Sequence, residues 1–373
     1  MIGAVVRSRA GVRPACPDDI PTIAELRMRV FSWRPQDSAE AREAAVSRVF
    51  FDNPLLDPEL PALVCTNERG RLVGFIGVSG RTFRWRGSTI RVAVPTGFMV
   101  DPASRGVPGV ALLRRLLSGP QALTLADSPN LPGRRLMEKL GGVVAPLDSL
   151  YWVRPLRPVR YAVGQIRNGP LLFATRLLAR PLAVGLDAVA TRVAKSPFVA
   201  KRPDTRGEPL SPAELARCVA ELAPSCTPSP CYHEPTLRWL LDALGQGPRG
   251  QEFERVLVRS AAGEVIGWYL RFTSRRGVSE VVQLGATKEH YGALLDHVFH
   301  AAWRDGSVAV TGRVQPVFLE TLAEKGCTFS RGGPPVMIHS RHADLLQDIL
   351  GGRAFMSRLD GEWWMIHLSL NVE

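Results

Sequence analysis

Six cysteines in 373 residues are too few for a disulfide-dense scaffold. Lysine is scarce, 5 against 42 arginines, so the positive charge is almost all guanidinium. No apolar run reaches 18 residues, which argues against a membrane-spanning helix. The opening Met1-Ile2-Gly3-Ala4-Val5-Val6-Arg7 has no basic region followed by a long apolar stretch, so no signal peptide is expected. HExxH, GxSxG and GxxxxGK[ST] are missing, leaving zinc proteolysis, serine hydrolysis at the usual elbow and P-loop phosphotransfer without support. Cys226 and Cys231 have only Cys218 for company and read as part of a loop ahead of a helix, so no metal set is expected. An apolar share of 45% with 22% charged residues is that of a soluble globular protein, the length suits two domains, and with no signal peptide or spanning run expected the chain reads as cytoplasmic.

The net charge of +12 is unevenly placed. Residues 1–158 carry 22 basic and 14 acidic side chains, 159–209 carry 9 and 3, and 210–373 carry 16 and 18. A positive first half and connector favour anionic ligands: a phosphate-bearing cofactor, nucleic acid, an acidic carrier protein or a lipid surface. Within 156–209, Leu171, Leu172, Phe173, Leu177 and Leu178 alternate with Arg167, Arg176 and Arg180. This pattern predicts basic amphipathic helices, interrupted by Pro170 and Pro181, that pack on a domain or make a peripheral membrane contact over 159–195.

Both halves read with one element order. In the first, a strand near 11–15 precedes a helix over 20–31 with Ile20, Ile23, Leu26 and Val30 on one stripe. A hairpin over 62–78, a strand over 89–100, a helix over 110–117, a strand over 122–125 and a helix over 131–140 follow. The second half repeats the plan with helices over 213–223 and 235–244, a hairpin over 255–270, a strand over 279–285, a helix over 291–303, a strand over 307–311 and a helix over 317–325. Asp360-Gly361 predicts a turn joining two short strands within 355–365.

The densest chemical signal runs from Val94 to Leu140. A strand leads into Val100-Asp101-Pro102-Ala103-Ser104-Arg105-Gly106, then Val107-Pro108-Gly109-Val110-Ala111 opens a helix. Glycines allow close backbone approach, and the unpaired N–H groups of a helix start can cradle a pyrophosphate. Here the chain resembles the GNAT superfamily of acyl-CoA-dependent N-acyltransferases. Asp127-Ser128-Pro129-Asn130 and Arg135-Leu136-Met137-Glu138-Lys139-Leu140-Gly141-Gly142 are similar to that family's later strand, asparagine and helix-to-glycine segment, and Val12-Arg13-Pro14-Ala15-Cys16-Pro17-Asp18-Asp19 to its opening.

The resemblance implies an α/β fold of the mixed-sheet α+β kind, with two tandem GNAT-like domains, 1–155 and a degenerate 210–373, joined by the basic helical connector 156–209. It implies acetyl-CoA or another acyl-CoA as donor, held by Phe98, Met99, Val100, Arg105, Gly106, Val107, Gly109, Val110, Ala111 and Asn130. An amine acceptor, small or carrier-bound, is expected between the two domains, and an acyl carrier protein could present the same phosphopantetheine arm. Asp127 and Ser128 are candidates to take the amine's proton, and they equally fit capping of the helix at Leu131. Tyr232, His233 and Glu234 are candidates to line an acceptor pocket, and Trp363 or its neighbour Trp364 to face it, core packing being the competing reading. The family's loop glycine falls at Pro108, and its usual tyrosine acid at Met137, with Leu322 in the second half. The alternatives are a Fem-like aminoacyl-tRNA-dependent transferase, which also has two such halves, and a non-catalytic ligand-binding or scaffold protein of this fold.

Overall fold

The computed structural model describes residues 11–31, 38–104, 106–165, 202–222, 226–245 and 251–367. The chain forms two compact units. The first is Met1–Pro146, Thr227–Gln246 and Pro334–Glu373, and the second is Leu147–Cys226 and Gly247–Gly333.

The chain begins in the first unit with β1 (Gly11–Pro14), α1 (Ile20–Val30), α2 (Ala39–Phe50), β2 (Leu63–Thr66) and β3 (Leu72–Trp85). β4 (Ser88–Val100), α3 (Val107–Leu117), β5 (Leu123–Ala126), α4 (Leu131–Lys139) and β6 (Val143–Ala145) follow. It then enters the second unit with β7 (Tyr151–Pro155), α5 (Pro158–Gln165), β8 (Thr205–Pro209) and α6 (Pro212–Leu222). β9 (Ser229–Pro230) and α7 (Glu234–Gly245) return to the first. The second is completed by β10 (Glu252–Ser260), β11 (Val265–Thr273), β12 (Val278–Ala286), α8 (Tyr291–Arg304), β13 (Ala309–Arg313), α9 (Leu319–Glu324) and β14 (Thr328–Ser330). The first unit closes with β15 (Val336–His339), α10 (Ala343–Leu350) and a short 3-10 turn, Trp363–His367.

Local chemistry accounts for these elements. α1 starts behind Asp19, whose carboxylate accepts the Cys16 N–H at 2.9 Å and a two-pronged bond from Arg13 at 2.7 Å. Ser38 caps α2 by accepting the Ala41 N–H. The β3–β4 hairpin turns through Arg86 and Gly87, both with positive φ, the two-residue geometry that matches strand twist.

The sheet of the first unit has the order β1-β2-β3-β4-β5-β15-β6, with β9 paired to β3. The second has β8-β10-β11-β12-β13-β7-β14, which is the same plan. In each, one inner pair is parallel, β4 with β5 and β12 with β13, and the other pairs are antiparallel. Each sheet takes its penultimate strand from outside its main run of chain. β15 lies between β5 and β6, and β7 lies between β13 and β14. The compact units therefore differ from the division into 1–155, 156–209 and 210–373. Residues 227–246 and 334–373 belong to the first unit because β15 hydrogen-bonds to β5 and β6 and β9 to β3.

Three further differences are local. The helix expected from 110 begins at Val107, because Pro108 is tolerated in a first turn whose N–H groups have no partner in any case. The hairpin expected over 355–365 is a buried loop running into the 3-10 turn, because Asp360 accepts the N–H and hydroxyl of Ser357. The connector helices fall largely on 166–201, outside the described residues. Among those described, no helix is long and apolar enough to cross a membrane.

Candidate functional site

In the first unit, β4 and β5 pair only at Val92–Leu123 and Ala93–Thr124. Beyond that point β4 carries a bulge. Phe75 faces Met99 and Gly77 faces Thr96, so Gly97 and Phe98 together oppose the single residue Ile76. Gly97 has φ +58, and a Cβ there would meet the Phe50 ring at 2.7 Å. Glycine is thus required both by conformation and by space. The bulge turns Phe98 toward the gap between the two strands.

That gap opens a cleft of about 210 Å³, lined by Pro95, Gly97 and Phe98 from β4 and by Ala126, Ser128 and Asn130 from the end of β5 and the loop after it. Ile76, Leu113 and Met137 make its apolar walls, and Phe31 and Glu362 complete it. α3 starts beside the same strand: Gly109 is packed so that a Cβ would touch Phe98 and Val100 at 3.4 Å. Its first turn offers the N–H groups of Val107 and Gly109, while Val110 already donates to Gly106 O at 3.2 Å. Val107 is 81% exposed, so this helix start is open to solvent. Asp101 anchors the preceding loop by accepting the Ala103 N–H and pairing with Arg29 and Arg71, each at 3.2 Å.

Of the ten residues expected to hold a donor, Phe98 and Asn130 line the cleft, and Gly106, Val107, Gly109, Val110 and Ala111 form the helix start. Met99 is buried on the strand, Val100 is at its end, and Arg105 lies outside the described residues. Asn130 is also the cap of α4, accepting the Gly133 N–H at 2.9 Å. That task had been weighed for Asp127 and Ser128, and neither performs it. Ser128 lines the cleft, whereas Asp127 is 1% exposed and accepts the N–H groups of Glu362 at 2.7 Å and Trp363 at 3.2 Å.

The four acceptor candidates do not line this cleft. Tyr232 donates its hydroxyl to Asp360 at 2.5 Å, His233 and Glu234 are exposed at the start of α7, and Glu234 pairs with Arg238 at 2.5 Å. Trp363 is buried with the Arg358 guanidinium over its ring at 4.7 Å, and Trp364 packs edge-on against Trp239. Glu362 is the group that sequence reasoning missed. The available signal was three consecutive residues, Asp360-Gly361-Glu362, breaking an apolar stretch that ends in Trp363-Trp364-Met365. Burial and the neighbouring Asp127 carboxylate push the Glu362 carboxyl up to about 8, opposed by a hydrogen bond from the Ser128 backbone. Beside Asp127 lie Asp360, whose carboxyl burial pushes up, and Arg81, whose guanidinium burial pulls down to about 10.

The corresponding gap in the second unit is filled. β12 and β13 part after Val281–Gly312, and there the Gln315 side chain donates to Leu284 O at 2.9 Å and accepts the Leu284 N–H at 2.7 Å. The backbone N–H and C=O of Leu284 are thereby both occupied.

No protein-family model and no curated protein matches the chain. Solved structures do. The chain is similar to a GCN5-related N-acetyltransferase from Anabaena variabilis ATCC 29413 (TM-score 0.59, 14% identity, 90% of this chain and 74% of that one). It is also similar to a probable N-acyltransferase from Enterococcus faecalis V583 (TM-score 0.55, 10% identity, 89% and 73%) and a GCN5-related N-acetyltransferase from Kribbella flavida (TM-score 0.54, 15% identity, 92% and 74%). The fold is the GNAT fold. The mixed sheets, each with one parallel pair whose strands part, are the two GNAT-like sheets expected of a tandem arrangement. In this GNAT-fold chain the first parting is open and the second is closed by Gln315.

Proposed function

We propose that the protein is an acyl-CoA-dependent N-acyltransferase whose donor lies in the first unit, between β4 and β5. The observation that carries this reading is the bulge at Gly97 and Phe98, which opens an apolar cleft directly beside a solvent-facing helix start. A thioester with a long amide-bearing arm and a diphosphate asks for that combination: strand amides and apolar walls for the arm, and unpaired helix N–H groups for the diphosphate. The fold likeness supports the same donor class. The acyl group is proposed to be acetyl and the acceptor an amine, held with its nitrogen at the thioester carbonyl so that placement supplies much of the rate. An acyl carrier protein would offer the same arm to the same cleft.

Isothermal titration with acetyl-CoA and a longer acyl-CoA tests the reading, with Val107→Glu as the diagnostic variant. Val107 is exposed in the first turn of α3, so the added carboxylate opposes a diphosphate there without disturbing the core. Saturable binding that weakens at least tenfold in V107E is the expected result. Absence of binding by either thioester would retire it.

A further inference from the structure

We propose that Glu362 takes the proton from the attacking amine and that Asp127 is the residue that positions it. This rests on the acyl-transfer reading above. Among the described residues lining the cleft, Glu362 alone carries a titratable side chain. It reaches the cleft on a segment fixed from several sides. The Asp127 carboxylate holds the N–H groups of Glu362 and Trp363, and Gly361 lies so close to that carboxylate that any side chain there would collide with it. Upstream, Asp360 is held by Ser357 and by the Tyr232 hydroxyl. The Ser128 backbone N–H favours the charged form of the Glu362 carboxyl. The loop that ends β5 therefore grips the backbone of this segment at Asp127.

Among the described residues, the charges around Glu362 are few. Asp127 is the ion that acts on it, Ser128 contributes its backbone N–H, and the other cleft walls are uncharged. Arg81, Asp360 and Tyr232 form a buried cluster with Asp127. An alkylammonium ionises near about 10.4 and an ordinary glutamate near about 4.3, so proton transfer between them is uphill by about six pH units. With the carboxyl raised to about 8, most of that gap closes.

In the step, the ammonium proton passes to the Glu362 carboxylate and the freed nitrogen bonds to the thioester carbonyl carbon. The carbon–sulfur bond breaks with its electron pair going to sulfur, which takes one of the two remaining nitrogen protons while the other stays as the amide N–H. Glu362 then returns its proton to water. One ammonium and one thioester thus give one amide, one thiol and one proton.

The test uses full-length protein, acetyl-CoA and a panel of primary alkylamines, with thiol release followed from pH 6 to 9.5. The wild-type rate is expected to rise with pH through about 8. Glu362→Gln should lose at least about a hundredfold in kcat while binding acetyl-CoA as before. Asp127→Asn keeps an acceptor oxygen for both N–H groups but removes the charge, so the rising limb should move to lower pH. A merely structural Asp127 would leave the limb in place. Thermal melts give a readout free of turnover. A carboxyl raised on folding contributes stability that is present below the unfolded value and lost as pH rises through about 8, so wild type should fall relative to E362Q between about 4.3 and about 8 and run parallel to it above that pH. If acetyl-CoA does not bind, the acyl-transfer reading fails. If it binds and E362Q turns over at the wild-type rate, this proposal fails and the reading stands. An unmoved limb in D127N removes the charge effect assigned to Asp127 and leaves it a structural anchor only.

Discussion

Truncation after Gly333 removes β15 and everything beyond it, and the structure gives the size of the loss. β15 is an internal strand, bonded on one side to β5 through Met337–Ala126, Ile338–Leu125 and His339–Thr124, and on the other to β6. Around Phe83, Val92, Leu123 and Leu125, six of the twelve buried residues of that core come from the last 40 positions: Val336, Ile338, Leu345, Ile349, Ala354 and Met356. Burying the five larger side chains at about 1.5–3 kcal/mol each contributes about 7–15 kcal/mol. A domain's whole stability is about 5–15 kcal/mol, so nothing remains to hold the first unit together. A 1–333 chain is therefore expected to lose the cooperative urea transition of that unit, seen by tryptophan fluorescence and limited proteolysis. A peptide spanning 334–373 added in trans should restore part of it. A truncated chain with the full-length urea midpoint would refute the view that β15 completes this sheet.

Two further outcomes follow from the contrast between the two sheets. Gly97→Ala places a Cβ at positive φ and against Phe50, so it should cost about 1–3 kcal/mol in urea unfolding and weaken acetyl-CoA binding; an unchanged midpoint would show the bulge relaxes freely. Gln315→Leu strips the partners from the buried N–H and C=O of Leu284 and should cost about 2–4 kcal/mol in a thermal melt, with acetyl-CoA binding unchanged; a loss of binding would place a donor in the second unit.

What could be read from the sequence was local. The stripe Ile20, Ile23, Leu26 and the hairpins read over 62–78 and 255–270 each report on neighbours a few residues away, and α1, the β2–β3 hairpin and the β10–β11 hairpin stand there. The strand, loop and helix from Val94 to Leu140 were legible for the same reason, since the loop and both its flanks are contiguous. The bulge was not: Gly97 and Phe98 gain their meaning from Phe50 and Ile76, which lie on other elements. Nor was Glu362, 235 positions from the Asp127 that holds it. Asp360-Gly361 read as the turn of a hairpin because that dipeptide favours one, and the bonds of Asp360 to Ser357 and Tyr232 overrode the local preference.

The two sheets share strand order and parallel pair, so topology alone gives each of them a place where two strands part. Whether that place becomes a site is decided by two or three side chains. In the first unit, a glycine that can adopt positive φ lets the strand bulge, and its gap is lined by the apolar walls of Ile76, Leu113 and Met137. In the second, a glutamine of matching reach satisfies the N–H and C=O of Leu284 together where the strands part. A buried amide pair already bonded at 2.7 and 2.9 Å would have to be broken before an amide-bearing arm could take its place. The fold therefore supplies two equivalent partings, and the acyl-transfer reading proposed above assigns the donor to the one where Gly97 stands.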